Sequence, residues 1–259
     1  MKTIAVANQK GGVGKTTTAV NLSALLGAMG QRVLMIDLDP QGNTTSGLGM
    51  EVDDKSIYEV IMGRMKLTDV MEETEFKNLS IAGSDVRLAN AELELVEVEK
   101  REYRLKTAVQ SVQQDFDFIF IDCPPSLGLL TINALGAADS VLIPIQCEYY
   151  ALEGVASLMN TISRVKKTIN PHLEIEGVLL TMLDGRTNLG LQVVDEVKKH
   201  FKKQVYATVI PRSVRLGEAP SHGEPIHVYD KRSAGCVAYV NLAKEVLKRN
   251  NIKVKEFKL

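Results

Sequence analysis

Lys10-Gly11-Gly12-Val13-Gly14-Lys15-Thr16-Thr17 joins a short apolar run to a helical pattern. These residue types at this spacing predict a loop that wraps a chain of phosphates. The glycines let the backbone pass close to the anion, and successive N–H groups converge into a nest. Lys15 sets a point charge against the β- and γ-phosphates of a nucleoside triphosphate, and the Thr16 hydroxyl is placed to bind Mg²⁺. The helix that starts near Lys15 turns its positive end toward the same phosphates. The run departs from G-x-x-x-x-G-K-[ST] at its first position, where Gln9 replaces glycine, and Lys10 adds a second lysine at the head of the loop. A glycine-rich loop by itself is only a tight turn. The strand pattern Thr3–Ala7 before it and the helical pattern Ala19–Leu26 after it point to a nucleotide site.

Carboxylates follow two other apolar runs. Asp122 closes Phe118-Ile119-Phe120-Ile121, the place for a second-sphere anchor of Mg²⁺. A capping aspartate before Pro124-Pro125 is the plainer alternative. Asp37-Leu38-Asp39-Pro40-Gln41 closes the other run, and alternation puts Asp37 and Asp39 on one side of an extended chain. Two carboxylates beside phosphates are costly unless a cation or a water proton uses them. Asp39 is therefore assigned to orienting and deprotonating an attacking water, helped by Mg²⁺, and Asp37 to anchoring the loop. A simple Asp-Pro turn at a strand end is the alternative.

Strand and helix patterns alternate along the whole chain. Strands are expected at Thr3–Asn8, 32–37, Leu79–Ala82, Phe116–Asp122, Ser140–Ile145, Ile175–Met182 and Val205–Ile210. Helices are expected at Thr17–Met29, Glu92–Gln114, Leu152–Ile169, Leu191–Phe201 and Val237–Arg249, with Gly42–Glu75 the least regular and a candidate mobile segment. Apolar strands without alternation are buried on both faces, so the expected fold is α/β: a mostly parallel twisted sheet flanked by helices on both faces. Ligands of such sheets sit at the carboxyl ends of the strands. The loop at 10–17, Asp37, Asp39, Asp122 and Pro211 all follow strand ends and should gather on one edge.

In order along the chain stand Lys10–Thr17, Asp37-Leu-Asp-Pro-Gln-Gly-Asn43, Ile121-Asp-Cys-Pro-Pro-Ser126, Glu148-Tyr-Tyr-Ala-Leu-Glu-Gly154, Ile210-Pro-Arg-Ser-Val-Arg215 and Glu218-Ala-Pro-Ser-His-Gly223. With these blocks the sequence resembles, over nearly its whole length, the ParA/Soj family of chromosome- and plasmid-partitioning ATPases. The first block alone also fits MinD-type, arsenite-pump and nitrogenase iron proteins; the blocks at 148–154 and 210–223 narrow the resemblance.

The resemblance implies a P-loop NTPase of the deviant Walker A type that uses ATP and Mg²⁺. It implies an ATP-bound sandwich homodimer in which Lys10 reaches the partner's phosphates, a cation supplied in trans like an arginine finger. A solvent-facing loop lysine is the alternative for Lys10. Gly11 resembles the position where a side chain would block close approach of two protomers. Pro211 and Ser213 match the segment that flanks the base, although relatives more often carry asparagine at the second position. The preference for ATP over GTP rests on the resemblance. Also implied are non-specific double-stranded DNA binding by the dimer, a ParB-like DNA-bound partner that stimulates an otherwise slow hydrolysis, and a cytoplasmic, nucleoid-associated protein.

For DNA the candidates are Arg186, Arg212 and Arg215, with Lys198, Lys199, Lys202 and Lys203. The lysines lie near a helix C-terminus, where cations complement the dipole in any case, and Arg212 could instead face the nucleotide. The stretch Lys244–Leu259 holds six Lys/Arg against two Glu. MinD-like relatives cycle on membranes through an amphipathic C-terminal helix. Here Asn250-Asn251 interrupts the pattern and Ile252–Leu259 alternates at period two, without the broad apolar face that interfacial binding needs. A solvated tail at 250–259 is expected, and a membrane-cycling positioning ATPase is the second reading.

Composition bounds the rest. The chain has 259 residues and a net charge of −1, which suits one α/β domain over 1–259 and requires any nucleic-acid affinity to come from a local patch. Cys123, Cys147 and Cys236 lack metal or redox spacing and are expected as reduced core thiols of a cytosolic protein. His172, His200, His222 and His227 share no ligand spacing. No secretory leader or membrane span is expected.

Overall fold

The computed structural model describes residues 1–151, 153–254 and 257. Leu152, which opens the expected 152–169 helix and sits in the 148–154 block, lies outside the described residues, as do Lys255, Glu256, Lys258 and Leu259 of the expected tail. The chain runs β1 (Lys2–Val6), α1 (Lys15–Ala28), β2 (Val33–Asp37), α2 (Asn43–Gly47), α3 (Ile57–Ile61), β3 (Met71–Glu73), β4 (Leu79–Ala82), α4 (Leu88–Glu94), α5 (Arg104–Val112) and β5 (Phe118–Asp122). It continues through α6 (Leu129–Ala137), β6 (Ser140–Gln146), α7 (Glu153–Thr168), β7 (Glu174–Leu183), α8 (Asn188–Phe201), β8 (Val205–Pro211), α9 (Val214–Glu218), α10 (Ile226–Tyr229) and α11 (Ala234–Arg249).

The strands form one sheet in the order β3-β4-β2-β5-β1-β6-β7-β8. Every pairing is parallel except the antiparallel edge pair β3/β4. Residues of β5 show why its run is unbroken. Ile119 and Ile121 pack into the core on one face with Leu105, Leu130 and Leu158. Phe118 and Phe120 pack on the other with Leu22, Leu242 and Val246. All four are fully buried, as a strand covered by helices on both sides requires.

Two expectations change. The long helix expected over Glu92–Gln114 is two helices, α4 and α5, separated by 3₁₀ turns and a left-handed Lys100 (φ 54°). Leu95 and Leu105 are buried, but between them only Val98 offers a partly buried apolar side chain, so no apolar face holds a continuous helix there. The segment expected to be least regular, Gly42–Glu75, is built of α2, α3, a 3₁₀ turn and the edge strand β3. Ile57, Ile61 and Leu67 from it enter the core.

The C-terminal stretch docks where it is described. Asn250 Nδ2 donates to Glu176 Oε1 at 2.7 Å, and Ile252, Val254 and Phe257 pack partly buried against the core. Over 252–254 the period-two alternation sets Ile252 and Val254 against the body and Lys253 in solvent, so this part of the expected solvated tail is docked. Among the described residues no helix is long and apolar enough to cross a membrane.

Candidate functional site

The loop between β1 and α1 is held from several sides. Asn8 Nδ2 donates to the Pro144 carbonyl at 2.7 Å, the Lys10 N–H donates to Asn8 Oδ1, and Thr181 Oγ1 donates to the Val13 carbonyl. Gly12 and Gly14 take φ of +71° and +89°, a region that costs other residues strain. Lys15 Nζ folds back to the Lys10 carbonyl at 3.3 Å, and burial pulls the Lys15 ammonium below its ordinary range against the attraction of Asp122. The Lys15 ammonium, resting on a carbonyl of its own loop, is a donor that phosphate oxygens would take.

Strand register delivers the carboxylates. Val6, Asp122 and Asp37 stand side by side on β1, β5 and β2. Asp122 Oδ2 accepts from Thr16 Oγ1 and from Thr44 Oγ1, each at 2.7 Å. Its Oδ1 is buried with no hydrogen-bond partner. Burial, with Asp37 nearby, pushes the Asp122 carboxyl up to about 7. An orphaned, fully buried carboxylate oxygen beside a threonine hydroxyl is the donor set a hydrated divalent cation fits. Among the described residues no cluster of three or more His, Cys, Asp or Glu could hold a metal by itself, so phosphate oxygens and water must complete its shell.

Asp37 and Asp39 differ in their surroundings. Asp37 accepts from Asp39 N, Thr45 N and Thr45 Oγ1 and is spent on holding the loop, with burial pushing its carboxyl up to about 6. Asp39 faces the cleft, and its Oδ1 accepts the Gln41 N–H. The cleft, about 480 Å³, is lined by Gly12, Lys15, Thr16, Asp39, Met182 and Pro220 among others. A second hollow of about 340 Å³ shares Gly14, Thr17 and Met182 with it and adds Pro211, Arg212 and Ser213. Loop and 210–215 block thus line two adjoining hollows, the second mostly apolar.

Four participants were not read from the sequence. Thr44 shares Asp122 with Thr16; its place two residues after Gly42 was the available signal. Met182, in left-handed backbone (φ 52°), touches the loop beneath Gly14. Glu148 Oε2 stands 4.0 Å from Lys10 Nζ and its Oε1 3.6 Å from Arg212 Nη2. Gly223 (φ 65°) packs on Gly49, where a Cβ would come within 2.6 Å of the Gly49 Cα; this backbone contact joins the 218–223 block to the loop after α2.

The three arginines proposed for DNA are exposed. Arg186 follows β7 and pairs with Asp184 at 2.7 Å, Arg212 follows β8, and Arg215 on α9 pairs with Glu218 and Asp230. The Arg212 N–H donates to the Leu183 carbonyl, so the loops after β7 and β8 adjoin. Lys198 and Lys199 fall in the last turn of α8, and Lys202 and Lys203 just after it. Cys123, Cys147 and Cys236 are buried, with burial raising each thiol.

A family model for an AAA domain matches residues 1–175. The sporulation initiation inhibitor protein Soj of Bacillus subtilis is 59% identical over 95% of this chain and 98% of its own. The chromosome partitioning protein ParA of Myxococcus xanthus is 51% identical over 96% and 89%. A solved structure of a Mycobacterium smegmatis protein named cobyrinic acid a,c-diamide synthase, with ATP analogue and magnesium, is 37% identical over the whole of both chains with a TM-score of 0.85. The ATP complex of an aspartate-to-alanine variant of Cyanothece McdA reaches a TM-score of 0.87 at 26% identity, covering 100% of this chain and 99% of its own. The fold, the deviant phosphate-binding loop and these relatives agree: the chain belongs to the ParA/Soj family of chromosome-partitioning P-loop ATPases.

Proposed function

We propose that residues 1–259 act as one Mg²⁺-dependent ATPase domain that dimerises on binding ATP, binds duplex DNA non-specifically as the dimer, and is reset by hydrolysis that a DNA-bound, ParB-like partner stimulates. Its place would be the cytoplasm, on the nucleoid, in chromosome or plasmid partitioning. The observation that carries this reading is Asp122, buried with one free oxygen and tied to Thr16, directly behind a loop whose Lys15 lines the cleft and whose Lys10 stands outside it, facing Glu148. Solved relatives with bound ADP, ATP or an ATP analogue support the choice of nucleotide.

Each residue then has a task. The loop N–H groups and Lys15 hold the β- and γ-phosphates. Thr16 and, through it, Asp122 and Thr44 would hold Mg²⁺, which when bound neutralises charge on the phosphate oxygens. Pro211 and Ser213 flank the base. Asp39, held at Oδ1 by Gln41, orients a water with Oδ2 and accepts its proton. That water attacks the γ-phosphorus, the bond to the bridging oxygen breaks, and ADP and phosphate leave. Lys10 supplies its ammonium to the partner's phosphates, which links turnover to dimerisation. Among the described residues no arginine lines the cleft, so hydrolysis without a partner is slow.

Light scattering on the full chain tests this. The Asp39→Ala protein should double its mass with ATP and not with ADP, and adding Lys10→Ala should hold it at monomer mass. An unchanged mass with ATP and Mg²⁺ would overturn the cycle. Sedimentation with anionic vesicles but not with DNA would favour the membrane-cycling reading.

A further inference from the structure

A basic hollow of about 580 Å³ lies beside α5 and shares no residue with the nucleotide cleft. Its size falls within the range of small-molecule sites. Lys66, Lys100 and Arg104 line it, with Tyr103, Thr107 and Ser111. Glu99, the one acid in the lining among the described residues, is exposed. On a chain whose net charge is −1, three cations around one hollow make a local positive field.

Arg104 carries the argument. Its Nε is closed off from solvent and has no hydrogen-bond partner, so contact with an occupant of the hollow falls to its terminal nitrogens. Arg64, Arg87, Arg186, Arg215 and Arg249 each face a carboxylate; Arg104 faces none among the described residues. Its guanidinium lies against the backbone of Gly63, where a Cβ would stand 2.6 Å from Nη1, so the close seat depends on the absence of a side chain. A guanidinium is permanently charged and offers a planar fork that matches phosphate oxygens two at a time, while lysines add point charges. Leu67 and Ala108 give the hollow an apolar wall, which suits the non-phosphate part of a ligand.

We propose that this hollow binds a phosphorylated small molecule, its phosphate held by Arg104, Lys66 and Lys100. The ligand is separate from the nucleotide of the cleft, and the site stands whether or not the cycle proposed above is correct.

Inorganic pyrophosphate is the probe, titrated calorimetrically into the full chain without Mg²⁺. The parent protein should bind at two sites, and Lys15→Ala should remove one of them. On the Lys15→Ala background, Arg104→Gln should weaken the remaining site by about tenfold or more, as loss of a charge-assisted contact does. Lys66 is exposed, so Lys66→Gln keeps the fold and should weaken the same site by several fold. Loss of all binding in Lys15→Ala, or residual binding untouched by both further changes, would overturn the site.

Discussion

Glu148 faces Lys10 within one protomer: Oε2 of the one stands 4.0 Å from Nζ of the other. The same carboxylate faces Arg212 at 3.6 Å and accepts from Gln146 Nε2 at 2.6 Å. In the proposed dimer Lys10 has to leave this partner to reach the neighbour's phosphates. Glu148→Gln should therefore tighten ATP-dependent self-association on the order of fivefold, the equivalent of two exposed pairs, one per protomer, worth about 0.5 kcal/mol each. Sedimentation equilibrium across ATP concentrations reads the shift; weaker association would mean that Glu148 serves the dimer.

Asp39→Ala should keep ATP affinity within a few fold and cut turnover by about 10²–10⁴, the range of a lost general base. The Asp39 carboxylate is tied to the protein through the Gln41 N–H, a contact local to one turn, so the fold should be unaffected. Nucleotide titration and phosphate release on one preparation separate binding from chemistry. Hydrolysis at the parent rate would remove Asp39 from the mechanism.

The buried carboxyls make the nucleotide-free protein sensitive to pH. Burial raises Asp122 from 3.8 to about 7 and Asp37 from 3.8 to about 6. Between about pH 4 and these values the folded state keeps protons that the unfolded chain has released, so this stability is present below pH 4 and lost as pH rises through 6 and 7. Asp122→Asn should melt close to the parent at pH 5 and several degrees above it at pH 8. Thermal unfolding at both values decides, and a lower melting point for the variant at pH 8 would show that the carboxylate stabilises the fold.

Arg186→Glu with Arg215→Glu should abolish retention on duplex DNA at low salt without loss of ATPase activity. Each arginine already has acidic neighbours, Asp184 for one and Glu218 and Asp230 for the other, so the reversal leaves clustered negative charge. The parent's log affinity should fall steeply with log salt. Filter binding across salt concentrations measures both, and undiminished retention would place the DNA surface elsewhere.

Local pattern decided much of this molecule. The strand before Lys10, the helix after Lys15 and the two-faced burial of Phe118–Ile121 follow from apolar residues at short spacing, and so does the parallel sheet. The roles proposed for Lys15, Thr16 and Asp39 follow from residue type beside a strand end. Where no buried face continued, as between Leu95 and Leu105, periodicity misled and one expected helix became two. Tertiary structure alone decided which distant groups meet. Parallel register sets Asp37 beside Asp122, α2, which opens after Gly42, brings Thr44 onto Asp122, and a side chain from just beyond the end of β6 faces Lys10. The unpaired seat of Arg104 against Gly63 likewise joins residues far apart in the sequence. Periodicity is a property of neighbours in sequence, whereas a charge or a donor is satisfied by neighbours in space, and only the packed sheet and its helices determine those.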